Sequence, residues 1–433
     1  MARARSRLPI ALAAAVVVAQ AAVILMRPRE GVIEPEPVSV RSYFSAAELE
    51  RARDFRGPQF ALGLGGMLVE AGLVVALVVR LPRALDRPFR RPVLAGAVAA
   101  AALSVGLGLA TLPTGAIAHQ RAVDVGLSTQ DWGPWLSDLG LSTTIGAGLA
   151  AGGGALLLGL MRRFPRHWWA PGSVAVVALG AAFLYAGPVL LDPIFNRFTP
   201  LPAGRARTDV LELTREAGVD VGQVYVIDAS RRTTAANAYV AGLGHTKRVV
   251  LYDTLLERFS RDEVRLVVAH ELGHVRYRDV PRGLLYLALV APAALLAVQR
   301  LTERLAPGRT GTPAALPAVA LALGIASLGI TTISNQLSRR VEARADAFSL
   351  ELSDAPQAFV GLERRLALQN LSDPDPPAWR TALFATHPPT IERIGTGVAF
   401  QRGARSGSSG LAGPATPRSP RRRFPARRTP AGS

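Results

Sequence analysis

The feature that most constrains this chain is a series of apolar runs near 8–26, 59–80, 93–112, 143–161, 168–192, 281–300 and 314–333. Each is close to the ~20 residues that cross a hydrocarbon core as a helix. A backbone in lipid must satisfy its own polar groups, so runs of this kind fold as helices packed on one another. Together they predict a mainly α, seven-span multi-pass membrane helical bundle placed in the cell membrane, with the lipid bilayer as its first partner.

Composition narrows what the remaining residues can do. There is no cysteine, which excludes disulfides and thiolate metal sites, so any metal falls to His and carboxylate. The formal charge of +18 is carried almost wholly by arginine, Lys247 being the only lysine. The arginines gather beside the spans, as at Arg80, Arg83, Arg87, Arg90 and Arg91, where they anchor a protein against anionic headgroups. No aromatic-basic module accompanies them, so the charge predicts no nucleic-acid partner. The first span follows Arg3, Arg5 and Arg7 and contains "VAQAA", which imitates a cleavable signal peptide. Its apolar run is long for that role and further spans follow, so a retained helix is expected.

The expected domains are 1–192, a five-span N-terminal membrane region; 193–402, a domain that includes the last two spans; and 403–433, a Ser/Gly/Pro/Arg-rich disordered basic tail. Between the fifth and sixth spans the chain reads as a small α/β unit. "RTDVLELTREAG" has helical spacing up to Gly218, while "QVYVID", "ANAYVAGL" and "RVVLYD" read as short strands.

Chemistry concentrates in "VVAHELGHVRYRD" (267–279), which contains H-E-x-x-H in a chain of six histidines. Ser260 and Glu263 form a capping box, and Val264, Val267, Val268 and Leu272 supply an apolar stripe, so a helix is expected to about Asp279. His270 and His274 then share one face at i, i+4 and can reach one ion, with Glu271 about 100° round. Two such histidines also occur as ordinary surface residues. A metal site needs a third ligand, and "SNQLSRRVEARADAF" offers Glu342, with Asp346 one turn on to orient an imidazole. The same segment also reads as a solvated helix laced by Arg339, Arg340 and Arg344. Two spans separate H-E-x-x-H from Glu342, so both lie on one membrane side, as metal sharing requires.

His387 in "THPPTIERI" precedes two prolines, on an extended loop from which it could face the metal with Arg393 in support; such a loop histidine also occurs merely solvated. Glu70, inside the second span, either lines a polar interior or is satisfied by a neighbouring helix. His119 in a loop, His167 in the basic-aromatic "RRFPRHWWA" and His245 in a turn are read as structural.

"HELGH", "EARAD" and "THPPTIERI", in that order and preceded by "DPIFNRFTPL" and "NAYVAGLGHTKRVVLYDTLL", resemble the type I CAAX prenyl endopeptidases, integral-membrane zinc metalloproteases. HtpX-type proteases share part of the pattern more distantly. The resemblance runs from about 190 to 395 and implies a small α/β zinc-metalloprotease domain built around the last two spans. It implies one Zn2+ per chain on His270, His274 and Glu342, with Glu271 as base, His387 on the oxyanion side and Asp346 behind a ligand. It also implies that Asn237, Ala238, Tyr239 and Val240 form an edge strand that pairs with a membrane-associated peptide or protein substrate, and that the helices enclose a water-filled chamber. In that family the reaction is the processing of CAAX-box proteins; a broader role on membrane peptides, including quality control, also fits. A catalytically inactive transporter or scaffold on the same frame is the competing function, and loss of Glu271 or a ligand would have favoured it. Arginine counts beside the short segments put the N-terminus in the cytoplasm and the site outside, whereas eukaryotic members keep the site in the cytosol.

Overall fold

The computed structural model describes residues 7–80, 85, 88–242 and 247–409. Arg3, Arg5, Arg83, Arg87, His245 and residues 410–433 of the expected tail lie outside the described residues. In chain order the elements are α1 (Arg7–Met26), α2 (Ala46–Val79), α3 (Pro92–Asp124), α4 (Trp132–Arg163), α5 (Trp169–Leu190), α6 (Asp192–Phe195), β1 (Phe198–Pro200), α7 (Arg205–Glu216) and β2 (Gln223–Ile227). They continue with β3 (Ala238–Ala241), β4 (Arg248–Tyr252), α8 (Asp253–Arg258), α9 (Arg261–Arg276), α10 (Asp279–Leu305), α11 (Leu316–Ser353), α12 (Pro356–Gln369), α13 (Ala378–Phe384) and α14 (Thr390–Ser409). The described residues fall into two compact units.

The first unit draws on Met1–Met26, Asp54–Phe183 and Gly283–Leu337. Among the described residues, helices α1 to α5, α10 and α11 are the 7 elements long and apolar enough to cross a membrane, as the apolar runs predict. Several outrun those windows: α2 starts at Ala46 rather than 59, and α3 continues to Asp124 rather than 112. Hydropathy marks the lipid-crossing stretch, whereas a helix persists while its polar ends find partners. Here Gln59 Nε2 donates to the Ala118 carbonyl at 3.1 Å and Arg121 Nη2 to the Asp54 carbonyl at 2.8 Å. Close helix approach rests on small residues. A Cβ on Gly96 would collide with Leu158, and α1 turns Ala19, Ala22 and Val23 onto Tyr286, Val290 and Ala294 of α10. The first helix is thus a packed member of the bundle. His119, expected in a loop, lies within α3, buried and stacked on Trp135 at 4.9 Å, while His167 and Glu70 are exposed.

The second unit takes Arg27–Arg53, Leu184–Arg282 and Ser338–Ser433. Its sheet has the order β1-β2-β4-β3, with β2 and β4 parallel and the outer pairs antiparallel. Val224, Ala238, Val249 and Leu251 on one face meet Leu266, Val268 and Leu272 of α9, Phe348 and Leu350 of α11 and Phe359 of α12 in one core. Strand β3 lies at the edge of the sheet; it spans Ala238–Ala241 rather than Asn237 to Val240, and Asn237 immediately precedes it. The Tyr252 N–H donates to the Asn237 carbonyl at 3.1 Å, and the register Tyr239↔Val250 continues that hydrogen-bonded set. In an antiparallel ladder the alternate residues then turn their backbone groups to the open side, which aims the Val240 N–H and C=O outward. Helix α14 runs past 403 to Ser409.

Candidate metal centre

Helix α9 starts on the predicted capping box, with the Glu263 N–H donating to Ser260 Oγ at 3.4 Å and the Ser260 N–H to Glu263 Oε2 at 2.7 Å. Its buried stripe, Val264, Val268 and Leu272, fixes the helix rotation and sets His270 and His274 at the boundary of the core. The helix does not run to Asp279 as expected. It ends at Arg276 because Arg278 takes φ 57, a left-handed conformation that stops the α-helical run. Asp279 restarts the chain as the first residue of α10, and that break lets its carboxylate turn back to His274.

His270, His274 and Glu342 come together, each offering a ligand atom within 4.8 Å of the others. The two Nε2 atoms are 3.2 Å apart, and Glu342 places Oε2 3.2 Å from His270 Nε2 and Oε1 3.7 Å from His274 Nε2. Each Nδ1 is committed elsewhere: that of His270 lies 2.9 Å from Asp346 Oδ1, and that of His274 lies 3.0 Å from Asp279 Oδ2. A carboxylate on each Nδ1 fixes the tautomer that leaves Nε2 free to ligate, the usual arrangement behind a metal-bound histidine. Two imidazoles and one carboxylate in this disposition fit a divalent ion with one coordination position left over.

The anchoring carboxylates are themselves held. Arg393 reaches Asp346 with Nε at 2.8 Å and Nη2 at 2.5 Å and extends Nη1 to Glu363 Oε2 at 2.9 Å. Burial disfavours its charge, but Asp346 and Glu363 outweigh that and hold it firmly protonated. The sequence had suggested Arg393 as support for His387; the structure brings it to Asp346 instead, one step behind His270. Arg344 pairs with Asp279 and lies 4.1 Å over the Tyr277 ring. Burial pushes the Glu363 carboxyl up to about 7, with Arg393 acting against the rise and Asp346 adding to it.

His387 joins the cluster from its loop, its Nε2 3.2 Å from Glu342 Oε2 and its Nδ1 2.9 Å from Thr386 Oγ1. That loop is clasped by Arg339, one turn before Glu342, whose Nη1 donates to the Thr381 carbonyl at 3.0 Å and the Ala385 carbonyl at 2.8 Å. Glu271 lies in the field of both histidines, Glu342 and His387, and burial raises its carboxyl above the ordinary range. A carboxyl raised by burial beside a candidate metal is a candidate proton carrier. At the edge strand, Asn237 caps the Ala238 N–H at 2.9 Å and the Tyr239 hydroxyl donates to Asp192 Oδ2 at 2.9 Å.

Sequence reasoning missed Asp279, Arg344 and Glu363. A signal existed for the first, an acid five residues after His274, but an uninterrupted helix would have pointed it away.

The family model for peptidase family M48 matches residues 200–396. The metalloprotease YhfN of Bacillus subtilis is 32% identical over 301 residues, covering 67% of this chain and 70% of that protein. The CAAX prenyl protease 1 homolog of Oryza sativa is 31% identical over 226 residues, 50% of this chain, so the chain spans about half (52%) of that relative's length. The crystal structure of S. mikatae Ste24p superposes with a TM-score of 0.71 at 20% identity, covering 90% of this chain and 98% of that one, which establishes a shared fold.

Proposed function

Because the chain belongs to peptidase family M48 and is a multi-pass membrane metalloendopeptidase, we propose that its metal is a single zinc ion held by His270, His274 and Glu342. The observation that carries this reading is the anchoring of both Nδ1 atoms by carboxylates, Asp346 and Asp279, which turns both Nε2 atoms toward Glu342. With three donors and no thiolate, the set suits zinc in an open catalytic site better than a closed structural one.

A zinc ion there supplies the Lewis acidity that makes water a nucleophile near neutral pH and polarises a peptide carbonyl. Glu271 takes the proton of the attacking water and returns it to the leaving amine; its raised carboxyl suits both steps. His387 donates to the oxyanion as the carbonyl becomes tetrahedral. Asp346 and Asp279 hold the imidazoles still through these steps. The substrate lies extended along β3, where Val240 offers a backbone N–H and C=O and a peptide of any sequence can add as a strand. Substrates are membrane-associated peptides or proteins. The relatives named CAAX prenyl proteases suggest CAAX-type chains as substrates.

Glu271→Gln tests the mechanism: zinc content stays at one per chain while peptide hydrolysis falls at least a thousandfold. Hydrolysis near wild type would remove Glu271 from the reaction. His270→Ala, by contrast, loses the zinc, and one zinc per chain in that variant would place the ion elsewhere.

A further inference from the structure

Inside the first unit, α3, α4, α5, α10 and α11 surround a cleft of about 450 Å³. Its walls include Leu103, Leu157, Trp168, Leu295, Val319 and Leu323, and only Ser104 and Trp168 bring a polar side-chain atom to it. Glycines keep it open. A Cβ built on Gly153, which lines the cleft, meets nothing within 4 Å.

One end of the cleft is bounded by the turn between α4 and α5, where Leu160 and Trp168 both line the wall. Between them Arg162, Arg163, Arg166 and His167 are all exposed. The turn is firmly built. Gln299, fully buried, accepts from the Trp169 N–H at 3.2 Å and donates to the Arg166 carbonyl at 2.9 Å and to Glu303 at 2.7 Å. The stem of Arg162 rests against Gly311, close enough that a Cβ there would stand 3.0 Å from Arg162 Cγ. Within 155–175 and 295–315 the sole acid is Glu303, already engaged by Gln299 and, at 2.8 Å, by Arg300.

We propose that this cleft and its rim bind an anionic phospholipid, one acyl chain lying in the cleft and the phosphate on Arg162, Arg163 and Arg166. An apolar slot of this size in a bundle takes a hydrocarbon chain of either lipid class, so the guanidiniums supply the choice of headgroup. Arg163 also lies 5.1 Å over the Phe164 ring, and an arginine can make bidentate contacts to phosphate oxygens.

The test uses the full chain in nanodiscs of equal phosphatidylglycerol and phosphatidylcholine, followed by mild detergent extraction and quantification of retained lipid by mass spectrometry. Wild type is expected to retain about one phosphatidylglycerol, enriched on the order of tenfold over phosphatidylcholine. Arg162→Gln/Arg163→Gln/Arg166→Gln abolishes the enrichment but not retention of a chain, and Gly153→Leu, which places a side chain in the cleft, lowers retention of both lipids alike. Enrichment that survives the triple substitution, or retention that Gly153→Leu leaves undiminished, overturns the proposal, as does a wild type that retains no lipid. All the variants are compared at matched melting temperature in zwitterionic detergent, and a Gly153→Val protein serves where the leucine does not reach it.

Discussion

Replacing Arg339 with methionine separates the positioning of His387 from metal binding. The arginine holds the last turn of α13 through two carbonyls, at 3.0 and 2.8 Å, and His387 follows the second of them by only two residues. One nitrogen serves both acceptors, so the pair is worth about 2–3 kcal/mol rather than the sum of two charged hydrogen bonds. Methionine keeps the aliphatic stem and removes the clasp. The ceiling on the effect is the complete loss of one oxyanion donor, about a hundred- to a thousandfold in kcat. The loop keeps some order, because two prolines follow His387 and the Ile391 N–H donates to the Pro374 carbonyl at 3.1 Å. The expectation is therefore a ten- to hundredfold fall in kcat with KM within a few fold, measured on a quenched peptide in detergent or nanodiscs. Zinc content stays at one per chain, because neither imidazole anchor is touched. A kcat within twofold of wild type would show that the clasp does not position His387. Loss of zinc in step with activity would show that Arg339 supports the ligand helix instead.

Asp279→Asn leaves all three candidate ligands in place but weakens the anchor on His274; zinc affinity is expected to fall ten- to a hundredfold in chelator competition, and wild-type affinity would demote Asp279 to a helix-start residue. One alanine inserted between 342 and 346 turns Asp346 by about 100° relative to Glu342, so zinc affinity should drop by a similar factor, read in the same titration. Glu363, raised to about 7 from its ordinary 4.5, binds a proton more tightly folded than unfolded. Its contribution is therefore full below about 4.5 and is lost as pH rises through 7, by roughly 3 kcal/mol at most. Glu363→Gln should flatten that decline in a series of thermal melts, and an unchanged slope between those pH values would assign the decline to another group.

The parts of this site legible in the sequence are those set by short periods. H-E-x-x-H and E-x-x-x-D are one-turn spacings, so helix geometry alone puts His270 over His274 and Glu342 over Asp346. The spans were legible because lipid imposes a length and an apolar composition, although it does not determine where the helices end. What stayed hidden depends on chain direction outside regular periods. Asp279 reaches His274 only because Arg278 goes left-handed, and nothing in "RYRD" announces that. Arg393 of α14 meets both Asp346 and Glu363 of α12, a tertiary pairing that no local pattern carries. His119 was misplaced for a related reason: a weakly apolar end of α3 reads as a loop until Trp132 and Trp135 are seen packed on it.

The segment "SRRVEARAD" reads in the sequence as an ordinary charged helix face, and its three arginines have three separate destinations, which appear only when their directions are followed. At 100° per residue, Arg339, Glu342 and Asp346 fall within about 60° of one another, while Arg344 points roughly 160° away from Asp346. The shared face delivers the clasp on the His387 loop, the third candidate ligand and the anchor of His270. The opposite face delivers Arg344 to Asp279, and so the anchor of His274, while Arg340 turns outward to Glu34 at 2.8 Å. Two turns of one helix thus govern both imidazoles, the carboxylate and His387. A catalytic constellation keeps its geometry when its supports are rigid elements rather than loops. Here the support is one helix, with Arg339, Glu342, Arg344 and Asp346 all within about its last four turns.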